Sequence, residues 1–183
     1  AASDVYKRQI CYNKENSGKG AIAMILVSSC LLGNAVRYKG DANPCELLLK
    51  YKEKGHFTAI CPEVFGGLSI PRPPAEIVGG SGDDVWQGRA RLINNQGEDV
   101  TESYKNGVLK AAEYCKAHHV SAVILKERSP SCGTHLIYDG TFTGTRIPGR
   151  GVTAAYFAQM GLPLYSEEEL TEELLQDLIE KDG

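Results

Sequence analysis

Residues 101–125 read TESYKNGVLKAAEYCKAHHVSAVIL, and the period of their pattern changes once. Thr101 reads as a helix N-cap, and Val108, Leu109, Ala112 and Cys115 fall near one helical face, which predicts a helix to about residue 118. VSAVIL at 120–125 is apolar, β-branched and too short for a helix, and predicts a buried strand. Upstream, MILVS at 24–28 and FTAI at 57–60 have the same character. Between them, residues 44–52 predict a helix with Asn43 as N-cap, Pro44 at the first position, Leu47, Leu48 and Leu49 on the core face and Gly55 as its end. The Pro- and Gly-dense segment 62–84 predicts a long rigid loop, and residues 85–94 a strand or hairpin arm turned by Asn94-Asn95-Gln96-Gly97. Downstream come a hairpin around residues 138–140, a helix over 152–160 and a strand over 162–165, with Ser166 and Glu169 as capping box of a last helix. The alternation predicts an α/β fold: one domain over 24–183 with a mainly parallel, Rossmann-like sheet flanked by helices.

Composition narrows the setting. The chain has 183 residues, 42% hydrophobic and 23% charged, with a formal net charge of -3. That balance gives no electrostatic case for nonspecific nucleic-acid binding, which needs a basic excess. No apolar run approaches the roughly 20 residues that span a bilayer, so the expectation is a soluble, cytoplasmic protein. Residues 1–23 carry no sustained period and read as a non-native or disordered leader, Met24 being a possible initiator and Cys11 being set aside with them. Val27-Ser28-Ser29-Cys30 loosely resembles a lipoprotein cleavage box, but apolar residues continue past it at Leu31 and Leu32.

Six cysteines are present, with no CxxC pair. A full-sized core with no such pair points to free thiols or a metal centre rather than a disulfide scaffold. Cys45 and Cys115 fall on helices and read as ordinary apolar residues. Cys30, Cys61 and Cys132 differ: each follows a predicted strand, at spacings of 31 and 71 residues, beside Pro, Gly or Ser. In open α/β sheets ligands bind at the carboxyl ends of strands, so the three can meet. Three thiolates suit zinc, with His135 as a fourth ligand, or an iron–sulfur cluster with one iron left open; spacing alone does not choose.

SSCLLG (28–33), RYKG (37–40), CPEVFGGLSIPRPPAEI (61–77), DVT (99–101), LKERSPSCG (125–133), YDGTF (138–142) and GRGVTAAYF (149–157) together resemble the bacterial thiouracil desulfurase family, long catalogued as domain of unknown function 523. The resemblance implies non-redox desulfuration of a thiolated pyrimidine such as 2-thiouracil, giving uracil and sulfide. It implies a [4Fe–4S] cluster held by Cys30, Cys61 and Cys132, with substrate sulfur on the open iron. In that chemistry Glu63 is the candidate general base. Lys126 and Ser129, at the third strand end, are candidates to stabilise charge or orient the ring. Arg72 and Glu76, in the Pro-rich loop, are expected to pin that loop by an ion pair, with contact to substrate as the other reading. The Gly149–Gly151 turn can present amides to a substrate carbonyl. Members of that family often carry a cysteine where this chain has Val36 and an acid where it has Lys39, which places positive charge near the expected cleft. Two other readings stand beside this one: a non-catalytic iron–sulfur or zinc module that transfers sulfur, and desulfuration of thiolated tRNA.

Overall fold

In the computed structural model residues 24–182 are described, so the expected leader and Cys11 lie outside the described residues. Three strands fall where the sequence puts them: β1 (Met24–Ser28), β2 (Phe57–Ile60) and, after two others, β5 (Val120–Leu125). With β8 (Leu164–Ser166) they form one sheet in the order β2-β1-β5-β8, with every pairing parallel. Consecutive strand residues point to opposite faces, and in β1 both faces are covered. Ile25 and Val27 pack with Leu48 of α1 (Glu46–Tyr51) and with Leu175 and Leu178 of α6 (Glu172–Asp182). Leu26 packs with Ala111 and Cys115 of α4 (Thr101–Ala117) and Phe157 of α5 (Val152–Gln159). Burial on both faces is why these strands read as continuous apolar runs rather than alternating ones.

The chain leaves β1 for β2 on one side and reaches β5 on the other. Connections therefore diverge from the carboxyl ends of β1 and β5 and leave a crevice there, the place where doubly wound sheets bind ligands.

Several local expectations are corrected. Segment 62–84 is not an irregular loop: it holds α2 (Pro62–Phe65), β3 (Ala75–Val78) and the start of α3 (Gly82–Trp86). Pro62 sits where a helix tolerates proline, and Ser81 with Asp84 closes a capping box on α3. β3 pairs antiparallel with β4 (Arg91–Asn94), so the hairpin arm finds its main partner upstream. Helix α1 starts two residues later than expected, with Cys45 rather than Asn43 at the N-cap, and only Leu48 of its three leucines is fully buried because consecutive helical residues diverge by about 100°. Thr101 is the first helical residue rather than the cap: its Oγ1 accepts the Leu92 amide at 2.9 Å, while Asp99 accepts the Thr101 amide at 3.0 Å. Leu109 is exposed. Ser166 and Glu169 do bond each other's neighbourhood, but they tie a turn; the last helix begins at Glu172, with Thr171 accepting the Leu174 amide at 3.1 Å. The hairpin around residue 139 is β6 (Leu136–Tyr138) with β7 (Arg146–Pro148).

Helices α2 and α4 touch backbone to backbone. A Cβ on Gly107 would fall inside the Pro62 carbonyl, and one on Gly66 inside that of Ser103. This contact sets the height of the Cys61–Glu63 corner above the sheet. Gly107→Ala gains about 1 kcal/mol of helix propensity, yet it must push α2 off α4, an overpacking that costs about 1–3 kcal/mol. We expect a net loss of stability in a urea melt, together with impaired retention of any centre that uses Cys61.

Candidate active site

Cys30 lies in a 3₁₀ turn directly after β1, Cys61 directly after β2, and Cys132 seven residues beyond β5. All three line one cleft of about 640 Å³ at the carboxyl ends of β1, β2 and β5, together with Glu63, Lys126 and Ser129. The three sites are coupled in pairs, so that ionising one thiol would oppose ionising the next: Cys61 acts on Cys30, Cys132 on Cys61, and Cys30 on Cys132. Burial is the leading cause that pushes each of the three up to about 12, so without a cationic partner all three are neutral thiols at physiological pH. Cys45 and Cys115 pack in the cores on opposite faces of the sheet, as expected.

The loop that carries Cys132 is held by a residue that sequence reading missed. Glu127, 3% exposed, accepts the amides of Thr134 (3.2 Å), His135 (3.1 Å) and Leu136 (2.9 Å) and the Thr134 hydroxyl (2.6 Å). Burial works to raise its pKa, and these hydrogen bonds to the charged form outweigh it, taking the carboxyl down to about 2. Ser129 Oγ accepts the amides of Ser131 (3.1 Å) and Cys132 (3.0 Å). Both hydroxyl lone pairs are thereby used, which leaves the O–H as a donor only. Next to it Arg128 adopts a left-handed φ of 61°, sparsely populated for a side chain of this type. Ser28, also missed, bridges two strand ends: its Oγ accepts the Lys126 amide at 3.0 Å and its hydroxyl bonds the Cys132 thiol. The only sequence signal for it was the serine pair ahead of Cys30.

On the opposite wall, Glu63 is paired with Arg72 rather than left free. Arg72 Nε donates to Glu63 Oε2 at 2.7 Å and Nη2 lies 2.6 Å from the same oxygen. The guanidinium also donates to the carbonyls of Ser69 (3.2 Å) and Val36 (3.0 Å), fastening three segments around Cys61. The buried Tyr104 hydroxyl bonds Glu63 as well, a contact not anticipated from its place in a helical pattern. The expected Arg72–Glu76 pair does not form; Glu76 instead accepts the amides of Gly140 and Phe142. The Lys126 ammonium pairs with Glu167 and donates to the Glu127 carbonyl at 3.1 Å, while still facing Cys30 from the cleft wall.

Three further expectations fail. His135 is exposed, bonds Thr134 and Glu127, and does not line the cleft, so it offers no fourth zinc ligand. Among the described residues no three His, Cys, Asp or Glu side chains are gathered for a single metal ion. The Gly149–Gly151 amides do not reach the cleft either: Gly149 donates to the His135 carbonyl (2.9 Å) and Gly151 to that of Gly133 (2.8 Å), clamping the Cys132 loop. Lys39 is exposed and outside the cleft; from the same turn it is Arg37, paired with Asp41 at 3.0 Å, that lines the cleft.

Three thiols around one space are a donor set that an iron–sulfur cluster can use. A single ion draws all its ligands to one point, whereas a cube takes each thiolate on a different iron. Cys30, Cys61 and Cys132 stand around a shared space with Arg72 and Lys126 at its edge.

The chain belongs to the 2-thiouracil desulfurase family, whose sequence profile matches residues 25–169. Uncharacterized protein YbbK of Bacillus subtilis strain 168 is 50% identical over 149 residues, which are 81% of this chain and 99% of YbbK. A solved structure described as the [4Fe–4S]-dependent thiouracil desulfidase TudS superposes with a TM-score of 0.73 at 38% identity. It covers 84% of this chain and 97% of its own. Among the described residues no helix is long and apolar enough to cross a membrane.

The Glu127 carboxyl sits at about 2 when folded against an ordinary 4.5. A depressed folded value contributes stability that is full above pH 4.5 and is lost as pH falls toward 2. A difference of this size is worth about 3 kcal/mol. Glu127→Gln is expected to lose a comparable amount at pH 7 in a denaturant melt and to flatten the acid limb between pH 4.5 and 2.

Proposed function

We propose that this protein is a [4Fe–4S]-dependent desulfurase that converts a thiolated pyrimidine, such as 2-thiouracil, to uracil and sulfide without net redox change. The observation that carries the proposal is the meeting of Cys30, Cys61 and Cys132 in one buried cleft with Glu63 on its wall. Cys30, Cys61 and Cys132 would each hold one iron, and the group, when bound, supplies a Lewis acid at its remaining iron that polarises a thiocarbonyl. Neutral buried thiols must release their protons on loading, as metal sites of this type require.

The chain's own residues then act on water and on the ring. Glu63 orients a water molecule and takes its proton as oxygen bonds to the thiocarbonyl carbon. Arg72 and Tyr104 fix that carboxylate in place. The proton held on Glu63 is returned as sulfur leaves, and the sum is C=S plus water giving C=O plus hydrogen sulfide, with no electrons exchanged. Lys126 places a positive charge beside the thiols where negative charge develops, and the Ser129 O–H is available to donate to a ring oxygen or nitrogen. The free cysteines and an air-sensitive centre suit a reducing cytoplasm.

Anaerobically reconstituted protein incubated with 2-thiouracil is expected to give uracil and sulfide in equal amounts. Glu63→Gln is expected to lower turnover about 10²–10⁴-fold while cluster absorbance persists. A full cluster with no turnover on any thiolated base would support instead a sulfur-transfer module; turnover only on thiolated tRNA would move the substrate to nucleic acid, which the net charge of -3 argues against.

A further inference from the structure

The β6–β7 hairpin places one exposed aromatic ring over the cleft and fixes its backbone unusually firmly. Phe142 is 39% exposed, yet it lines the cleft, as does Tyr138, where β6 enters the loop of the same hairpin. Its φ of 58° is left-handed, rare for a bulky residue and held only where surroundings compel it. The compelling group is Glu76: this carboxylate, 8% exposed, accepts the amides of Gly140 at 2.9 Å and Phe142 at 3.1 Å. Gly140 lies so close to β3 that an added Cβ would come within 2.6 Å of the Ile77 carbonyl, so the tip is docked on that strand. The tip is further tied by Thr141 Oγ1 donating to Asp139 at 2.6 Å and by hydroxyl contacts from Thr141 to Thr143 (2.7 Å) and Thr143 to Thr145 (2.9 Å).

A ring left more than a third exposed adds little to the core. A buried carboxylate that holds two amides of an exposed hairpin tip fixes where that ring stands. What remains is a flat apolar face presented to whatever enters between the hairpin and the thiols, and planar heterocycles stack on such faces.

We propose that Phe142 is a substrate-contacting specificity residue that stacks on the planar ring of the ligand, and that Glu76 is the positioning residue that holds it there. The inference rests on the desulfurase reading for the identity of the ring, but its test is separable from that reading. Uracil binding to cluster-loaded protein, measured without turnover by anaerobic calorimetry, is expected to weaken about tenfold in Phe142→Ala, within the range of stacking losses. Phe142→Tyr should restore most of it. KM for 2-thiouracil should rise by more than kcat falls, as loss of a binding contact predicts. Because Glu76 acts through Phe142, Glu76→Ala should weaken uracil binding alone yet add little in the Phe142→Ala background. Unchanged uracil affinity in Phe142→Ala, or additive losses in the double variant, would overturn the proposal. Failure of the wild-type protein to release sulfide from 2-thiouracil would strike the desulfurase reading instead. Phe142 lies on an exposed hairpin, so its variants leave the core untouched.

Discussion

Three thiols that arrive on three separate strand ends share one desolvated space, and burial holds each of them neutral. Everything around them follows from that condition. Neutral thiols repel one another little, so bringing three of them together costs the fold little electrostatically. The same thiols become ligands only when a cationic group replaces their protons. Arg72 and Lys126, each already paired with a carboxylate, lower the cost of the negative charge that then accumulates without themselves occupying the site.

Holding three loops in register is the second demand, and the fold meets it with backbone hydrogen bonds more than with side-chain packing. Glu127 gathers the amides beyond Cys132, the start of α5 clamps the same loop from the other side, and Arg72 fastens the segments beside Cys61. The backbone contact between α2 and α4 fixes the corner from which Glu63 reaches inward. Each device uses a charged or backbone group buried against its partner, so single substitutions at these points act on geometry before they act on chemistry.

The sheet was legible because β1, β2 and β5 are covered on both faces and read as mostly apolar runs without strict alternation. Their carboxyl ends then gave the location of the cleft and its three cysteines. Segment 62–84 was not legible, since its proline and glycine content masks α2 and β3, whose formation depends on docking against α4 and β4 rather than on local preference. The roles of Glu127, Tyr104 and Ser28 were hidden for a related reason: each partner lies in another element or across a loop, and spacing carries no trace of it. Arg72 and Glu76 share the Pro-rich segment, but β3 carries Glu76 toward the β6–β7 hairpin, while Arg72 turns back to Glu63.

The chain belongs to the 2-thiouracil desulfurase family, and its fold is similar to that of a [4Fe–4S]-dependent thiouracil desulfidase. The central claim is that Cys30, Cys61 and Cys132 hold a cube rather than a single ion. Metal and acid-labile sulfide analysis of protein purified without oxygen tests it most directly. The account predicts about four irons and four sulfides per chain, with incorporation lost when any one of the three cysteines is replaced by serine. One zinc per chain and no labile sulfide would contradict it.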